Sequence, residues 1–203
     1  MSYSGKIYAI PLDFGYGFLF AEISDFSEIS EFDGILAKVY NYRVNELSVD
    51  IPIDDIVSSG LLLFPMPMGK YPATRGKYAW KLWGENPAHD YTPPIFKSYR
   101  GVLKAKNWSA LTPWFKQSPF TENFYDEKCV YDEVRHLETM KLNHQDLIKI
   151  KCTMRLFIND GKAVSNFYNL AEMGYRNMYV QVVNTYYDLE KANELLTVVD
   201  DLL

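Results

Sequence analysis

Catalysis needs a nucleophile, a base or a bound metal, and this chain offers few residues for any of them. Its three histidines are His89, His136 and His144. His89 precedes Asp90 in a proline-rich stretch, where a carboxylate can orient an imidazole as a general base. An exposed polar loop pair explains the same two residues. His136 follows Glu133-Val134-Arg135 in an expected helix, with no second His or Cys at i+4. His144 falls at the start of another expected helix, where a capping role suffices. Cys129 and Cys152 have no CxxC partners, so neither a zinc site nor any other metal or cofactor site is expected. No G-x-S-x-G elbow or Walker-type loop occurs, and Gly15-Tyr16-Gly17 lacks the third glycine of a phosphate cradle. The chain is therefore expected to work without catalysis. A dispersed enzyme site near His89 is the competing reading.

Two surfaces could instead bind a partner. Asp25, Glu28, Glu31 and Asp33 gather in one short connection. They read either as a solvated loop or as an acidic patch that attracts a basic protein and speeds its association. Further on, Lys77, Lys81, Lys97, Arg100, Lys104 and Lys106 interleave with Tyr78, Trp80, Trp83, Tyr91, Phe96, Tyr99 and Trp108. Bases among stacking rings can hold single-stranded nucleic acid. However, the alternation in Tyr78-Ala79-Trp80-Lys81-Leu82 is that of a half-buried strand. Asp54-Asp55 and Asp200-Asp201 are adjacent, so their side chains point apart and do not converge on one bond.

The elements that must carry these residues change along the chain. Strands are expected at 6–12, 16–23, 34–42, 47–51, 61–64 and 78–84; 34–42, 47–51 and 78–84 alternate between two faces, and 61–64 reads as a short buried strand. Residues 52–57 read as one helical turn or a loop. Eight of the ten prolines lie in residues 65–119, which favours strands and ordered loops there. Proline then stops, and helical spacing begins. Asn143 is expected to cap a helix whose stripe is Leu147, Ile150, Met154 and Phe157, with Gly161 beyond its end. Residues 175–187 read as helix despite their β-branched content, and Asp188 is a further cap. The fold class is α+β: a twisted antiparallel β-rich part, 1–118, with a mainly helical part, 119–203, packed on or beside it. One continuous domain and two domains remain equally compatible with that pattern.

The 203 residues carry a net charge of −5, unevenly spread. Residues 1–68 hold 10 acids and 3 bases, residues 69–119 hold 9 bases and 2 acids, and the remainder hold 14 acids and 9 bases. The overall sign speaks against nucleic acid or anionic lipid as partner. The longest apolar run, 61–68, is broken by Pro65 and Pro67, far short of the ~20 residues of a membrane span. The opening residues lack the apolar core of a secretory leader, so two free thiols in the cytoplasm are expected, with a Cys129–Cys152 bridge as the competing reading.

Gly5-Lys6-Ile7-Tyr8-Ala9-Ile10-Pro11-Leu12 followed by Gly15-Tyr16-Gly17-Phe18 resembles the opening of the immunity protein 26 family of bacterial polymorphic toxin systems. Leu61-Leu62-Leu63-Phe64 and then Arg75-Gly76-Lys77-Tyr78-Ala79-Trp80-Lys81 are similar to that family's apolar run and Trp-containing strand. The likeness covers about the first 100 residues and leaves the helical part unmatched. It implies a protein that binds and neutralises a cognate toxin by direct contact, without chemistry. Many such toxins are nucleases with basic substrate-binding surfaces, which an acidic N-terminal third would suit.

Overall fold

The structure is a computed structural model that describes residues 3–27, 34–48, 50–76, 79–90, 92–101, 105–118 and 125–202. Its frame is a five-stranded antiparallel sheet. The strands are β1 (Lys6–Pro11), β2 (Phe18–Asp25), β3 (Ile35–Val44), β4 (Leu61–Met68) and β5 (Lys81–Glu85), in the order β4-β3-β2-β1-β5. β4 is an edge strand, so Pro65 and Pro67 withhold no ladder hydrogen bond from a central neighbour. Gly17 enters β2 at φ +92, and a Cβ there would overlap the Val44 carbonyl oxygen. Only glycine lets β2 leave its turn this close to β3.

The register divides the sheet into two faces. Phe20 pairs with Tyr40 and with Ala9, and Glu22 pairs with Lys38 and with Ile7. These residues share one face with the helix α1 (Ile53–Ser58), whose Ile56 is fully buried against it. Tyr8, Ile10, Leu19, Ala21, Ile23, Ala37 and Val39 form the other face, under the long helix α3 (Gln145–Asn159). The chain from 119 onward also supplies α2 (Tyr131–Val134), α4 (Met173–Tyr186) and α5 (Leu189–Leu196). A second, three-stranded sheet runs β6-β7-β8 over Phe96–Tyr99, Trp114–Ser118 and Tyr125–Cys129. It joins the β-rich part to the helical part across the expected boundary at 118.

α3 is buried on two sides. Ile148, Cys152 and Leu156 pack on the five-stranded sheet. Met154 and Phe157, with Leu147 and Ile150 partly buried beside them, pack with Trp108, Trp114, Tyr179, Val183 and Leu196. The stripe expected from spacing is therefore the one facing the helices; a second stripe faces the sheet. Each fully buried aliphatic side chain in these seams contributes about 1.5–3 kcal/mol.

Three local expectations are corrected. The described residues of 47–51 carry no strand, and Val49 lies outside them. Leu47 and Ile51 instead pack partly buried beside α1. Asn143 does not cap α3. It is buried, and its Nδ2 donates to the carbonyls of Pro67 at 3.2 Å and Lys141 at 2.7 Å, tying the helix entrance to β4. His144 is the cap, its Nδ1 accepting from Asp146 N at 3.4 Å. His136 lies beyond the end of the short α2 and is exposed.

Candidate functional site

Of the four acids expected at a partner surface, only Asp25 is among the described residues; Glu28, Glu31 and Asp33 lie outside them. The Asp25 carboxylate accepts from Ser27 N at 3.0 Å, from Ser27 Oγ at 2.6 Å and from the Tyr71 hydroxyl. Burial alone would raise its pKa, but these donors outweigh burial and hold it below the ordinary aspartate value. Ser4 Oγ accepts from Asp25 N at 2.9 Å. Asp25 thus fastens the exit of β2 to the segment around Tyr71.

A larger acidic surface lies on the α1 side of the sheet. Residues 44–69 contain four acids and no Lys or Arg. Glu46, Asp50, Asp54 and Asp55 are all exposed. None has a cation within 4 Å among the described residues. Beside them stand apolar groups that the fold leaves partly open. Ile53 rests on Gly84, and Trp83, partly buried, donates from Nε1 to the Ile51 carbonyl at 3.3 Å. An apolar patch edged by unpaired charges is the usual plan of a non-obligate protein contact. The chain builds this surface because β3 and β4 need a connection, and a base-free connection adds no neutralising cation. Sequence spacing, tested for catalytic pairs, passed over Asp54 and Asp55. The available signal was the absence of any base across 44–69.

The structure brings His89 Nδ1 onto the buried Glu22 carboxylate. Asp90 Oδ1 accepts from Thr92 N at 2.8 Å and Thr92 Oγ1 at 2.7 Å. Glu22 is 1% exposed on β2. Its carboxylate accepts from Tyr40 OH at 2.7 Å and Asn86 Nδ2 at 2.7 Å, meets His89 Nδ1, and lies 3.8 Å from Lys38 Nζ. Burial pushes the Glu22 pKa up, yet Asn86, Tyr40, His89 and Lys38 together bring it below the ordinary glutamate value. The imidazole and the carboxylate are both nearly sealed, with side chains 5% and 1% exposed. This cluster pins the 86–90 segment across the sheet. It resembles a base with its orienting carboxylate in its contacts, but not in its access to solvent.

The basic, aromatic segment is dispersed. Lys77, Tyr78, Tyr91 and Lys104 lie outside the described residues. Trp80, Phe96 and Trp108 are core residues, 1%, 0% and 2% exposed. Arg100 pairs with Asp126, and Lys81 lies over the Trp83 ring at 5.6 Å. Lys97 is fully buried. Its Nζ donates to the Arg135 carbonyl at 2.7 Å and Thr185 Oγ1 at 3.0 Å, close to the Trp108 and Tyr131 rings. Nearby, Glu138 takes Lys151 Nζ at 3.3 Å and the Tyr186 hydroxyl. Burial pushes the Lys97 ammonium down to about 7, reinforced by Lys151 and Arg135 and opposed by Glu138. These residues form the interior joint between β6, α3 and α4, and the segment presents core side chains where a stacking platform would present open rings.

Cys129 and Cys152 are free thiols, the second fully buried. Among the described residues no group of three His, Cys, Asp or Glu could hold a metal ion, and no helix is long and apolar enough to cross a membrane. Comparison with protein-family models, curated proteins and solved structures returned no match.

Proposed function

We propose that this chain is a non-enzymatic immunity protein that neutralises a cognate bacterial toxin by direct protein contact. The observation that carries the reading is the acidic surface beside α1, where Glu46, Asp50, Asp54 and Asp55 are exposed with no ion-pair partner among the described residues, next to half-open Ile53 and Trp83. Unpaired carboxylates of one sign raise the local concentration of a basic partner and speed its encounter. The adjoining apolar groups supply the desolvated anchors in which binding energy concentrates. The resemblance of residues 5–18, 61–64 and 75–81 to the immunity protein 26 family supports the same reading, and a nuclease with a basic substrate-binding surface is the kind of toxin that suits it.

The test is growth of a bacterium expressing the product of the adjacent upstream reading frame, with and without this chain. Rescue together with co-elution of the two proteins supports the reading. Toxicity that this chain leaves unchanged removes the pairing.

A further inference from the structure

One segment lies on the outer edges of both sheets. Beyond α2 the chain passes along β6, an edge strand of the three-stranded sheet. Lys97 N donates to the Glu138 carbonyl at 2.9 Å and Met140 N to the Lys97 carbonyl at 3.1 Å, which bridges Lys97 to Thr139. The chain then reaches β4, an edge strand of the five-stranded sheet. Asn143 N donates to the Pro67 carbonyl at 2.8 Å and Gly69 N to the Asn143 carbonyl at 3.4 Å, which bridges Asn143 to Met68. Both bridges are isolated, so residues 135–143 are a strap fastened to each edge at one residue, not a strand zipped along it. An uncovered edge presents unpaired backbone groups, and the strap hides them.

Under the strap sits an excess of positive charge. Lys97 Nζ is buried among the Arg135 carbonyl, Thr185 Oγ1 of α4, and the Trp108 and Tyr131 rings. The charged groups that act on it are Arg135 and Glu138 from the strap and Lys151 from α3. Lys116 of β7, opposite Lys97 in the register, is taken by Glu133 at 2.7 Å. Glu138 is committed to Lys151 at 3.3 Å and to the Tyr186 hydroxyl, and Arg155 lies over the Tyr186 ring at 4.1 Å. Lys97 Nζ has no carboxylate within 4 Å among the described residues. A buried ammonium held by neutral acceptors is costly, and it is relieved by losing its proton or by meeting water. The β7 ladder holds the Lys97 backbone in place, whereas the strap that supplies the Arg135 carbonyl and Glu138 is fastened lightly.

We propose that residues 135–143 are a proton-controlled strap, closed over the edges of β4 and β6 when the Lys97 amine is uncharged and released when that amine takes up a proton. One proton is exchanged: the amine takes it from water on opening and returns it on closing. In the closed state burial holds the ammonium down to about 7, and in the open state it returns toward 10.5. Between those values the open state binds one more proton, so opening weakens by up to about tenfold for each pH unit gained. Below about 7 both states carry the proton and the dependence levels off. None of the acids beside α1 takes part, so this inference does not depend on the toxin reading.

The test is amide hydrogen exchange of the full chain, read by NMR from pH 6 to 8.5 and corrected for the intrinsic rate at each pH. The amides of Gly69, Lys97, Met140 and Asn143 close the two edges. They are expected to exchange faster than the amides between β1 and β2, the mark of an opening short of unfolding. Their protection is expected to rise by up to about tenfold per pH unit above pH 7 and to level off toward pH 6. Lys97→Met, or Lys97→Gln where Lys97→Met does not fold, is expected to hold that protection constant across the series. Strap amides as protected as those between β1 and β2 overturn the proposal, since the strap then opens only with the whole chain. So does protection that is level with pH in the parent chain, or a slope that the Lys97 variants retain.

Discussion

The Tyr40 hydroxyl on β3 donates a 2.7 Å hydrogen bond to the Glu22 carboxylate on the neighbouring strand β2, and both residues are almost wholly buried. The bond joins two central strands through their side chains as well as their backbones. It also helps hold an ionised carboxylate inside the protein. Tyr40→Phe removes the donor and leaves the charge under-solvated, at a cost of about 1–3 kcal/mol. Urea unfolding at neutral pH would show it as a lowered midpoint. The Glu22 pKa is lower in the folded state than in the unfolded chain, so its contribution is present above the ordinary glutamate value and is lost as pH falls through the folded one. The deficit of Tyr40→Phe should therefore shrink as pH drops below the ordinary glutamate value. A deficit equal at pH 7 and pH 3 would show that the carboxylate is not what Tyr40 stabilises.

Lys97 gives the opposite sign. Its ammonium is held down to about 7 in the folded chain, whereas an unfolded lysine titrates near 10.5. Between those values the unfolded state binds more protons, so this residue makes stability rise with pH across that interval. One proton sets the ceiling, about 1.4 kcal/mol per pH unit. Lys97→Met should flatten the rise between pH 7 and 8.5. The comparison is made between the two proteins at each pH, because thiols and tyrosines contribute to both alike. Parallel curves for Lys97→Met and the parent chain would contradict a low-pKa ammonium at this joint.

The glycines of the β1–β2 turn should not be equivalent. At Gly17, a Cβ meets the Val44 carbonyl and the backbone is at φ +92. At Gly15, φ is +65 and no atom lies within 4 Å of the added Cβ. Gly15→Ala should cost about 1–2 kcal/mol, the conformational penalty alone. Gly17→Ala should cost more, because β2 must also move away from β3. Equal costs in chemical denaturation would mean that the approach of β2 to Val44 is unimportant.

Reversing Glu46, Asp50, Asp54 and Asp55 to lysine should leave the fold intact, since all four are exposed and none makes an ion pair among the described residues. Association with a toxin that the parent chain neutralises should slow at least tenfold at low salt, and the difference should narrow as salt is added. Stopped-flow mixing measures it. An unchanged rate would move the contact away from the α1 side.

The antiparallel sheet was legible because β1 and β2 are apolar runs, β3 presents two faces and glycines flank all three, and α3 to α5 were legible from spacing and from the absence of proline. What was illegible depends on positions far apart in the chain. Leu47 to Ile51 alternates as well as a strand does, but only the packed structure shows Leu47 and Ile51 lying against the α1 cluster. Asn143 is a good cap by type, yet the Pro67 carbonyl, 76 residues away, takes its side chain. The spacing of Leu147, Ile150, Met154 and Phe157 shows one buried side of α3, and the sheet-facing side through Cys152 emerges only from packing. Glu22 and His89 are separated by 67 positions, so adjacency in sequence offered Asp90 and left the Glu22 contact unseen. Asp54 and Asp55 were legible as an adjacent pair that does not converge on one bond, a reading that does not reveal a docking surface, and Glu46 and Asp50 carried no signal of their own.

The most direct measurement is rescue with the adjacent upstream reading frame. The toxin candidate is expressed in a test bacterium alone, with this chain, and with the variant carrying lysine at 46, 50, 54 and 55. The account predicts growth arrest without this chain, restored growth and a co-eluting complex with it, and loss of protection with the folded variant. Arrest that the parent chain does not relieve would contradict the immunity reading. Protection undiminished in the variant would contradict the acidic surface as its means.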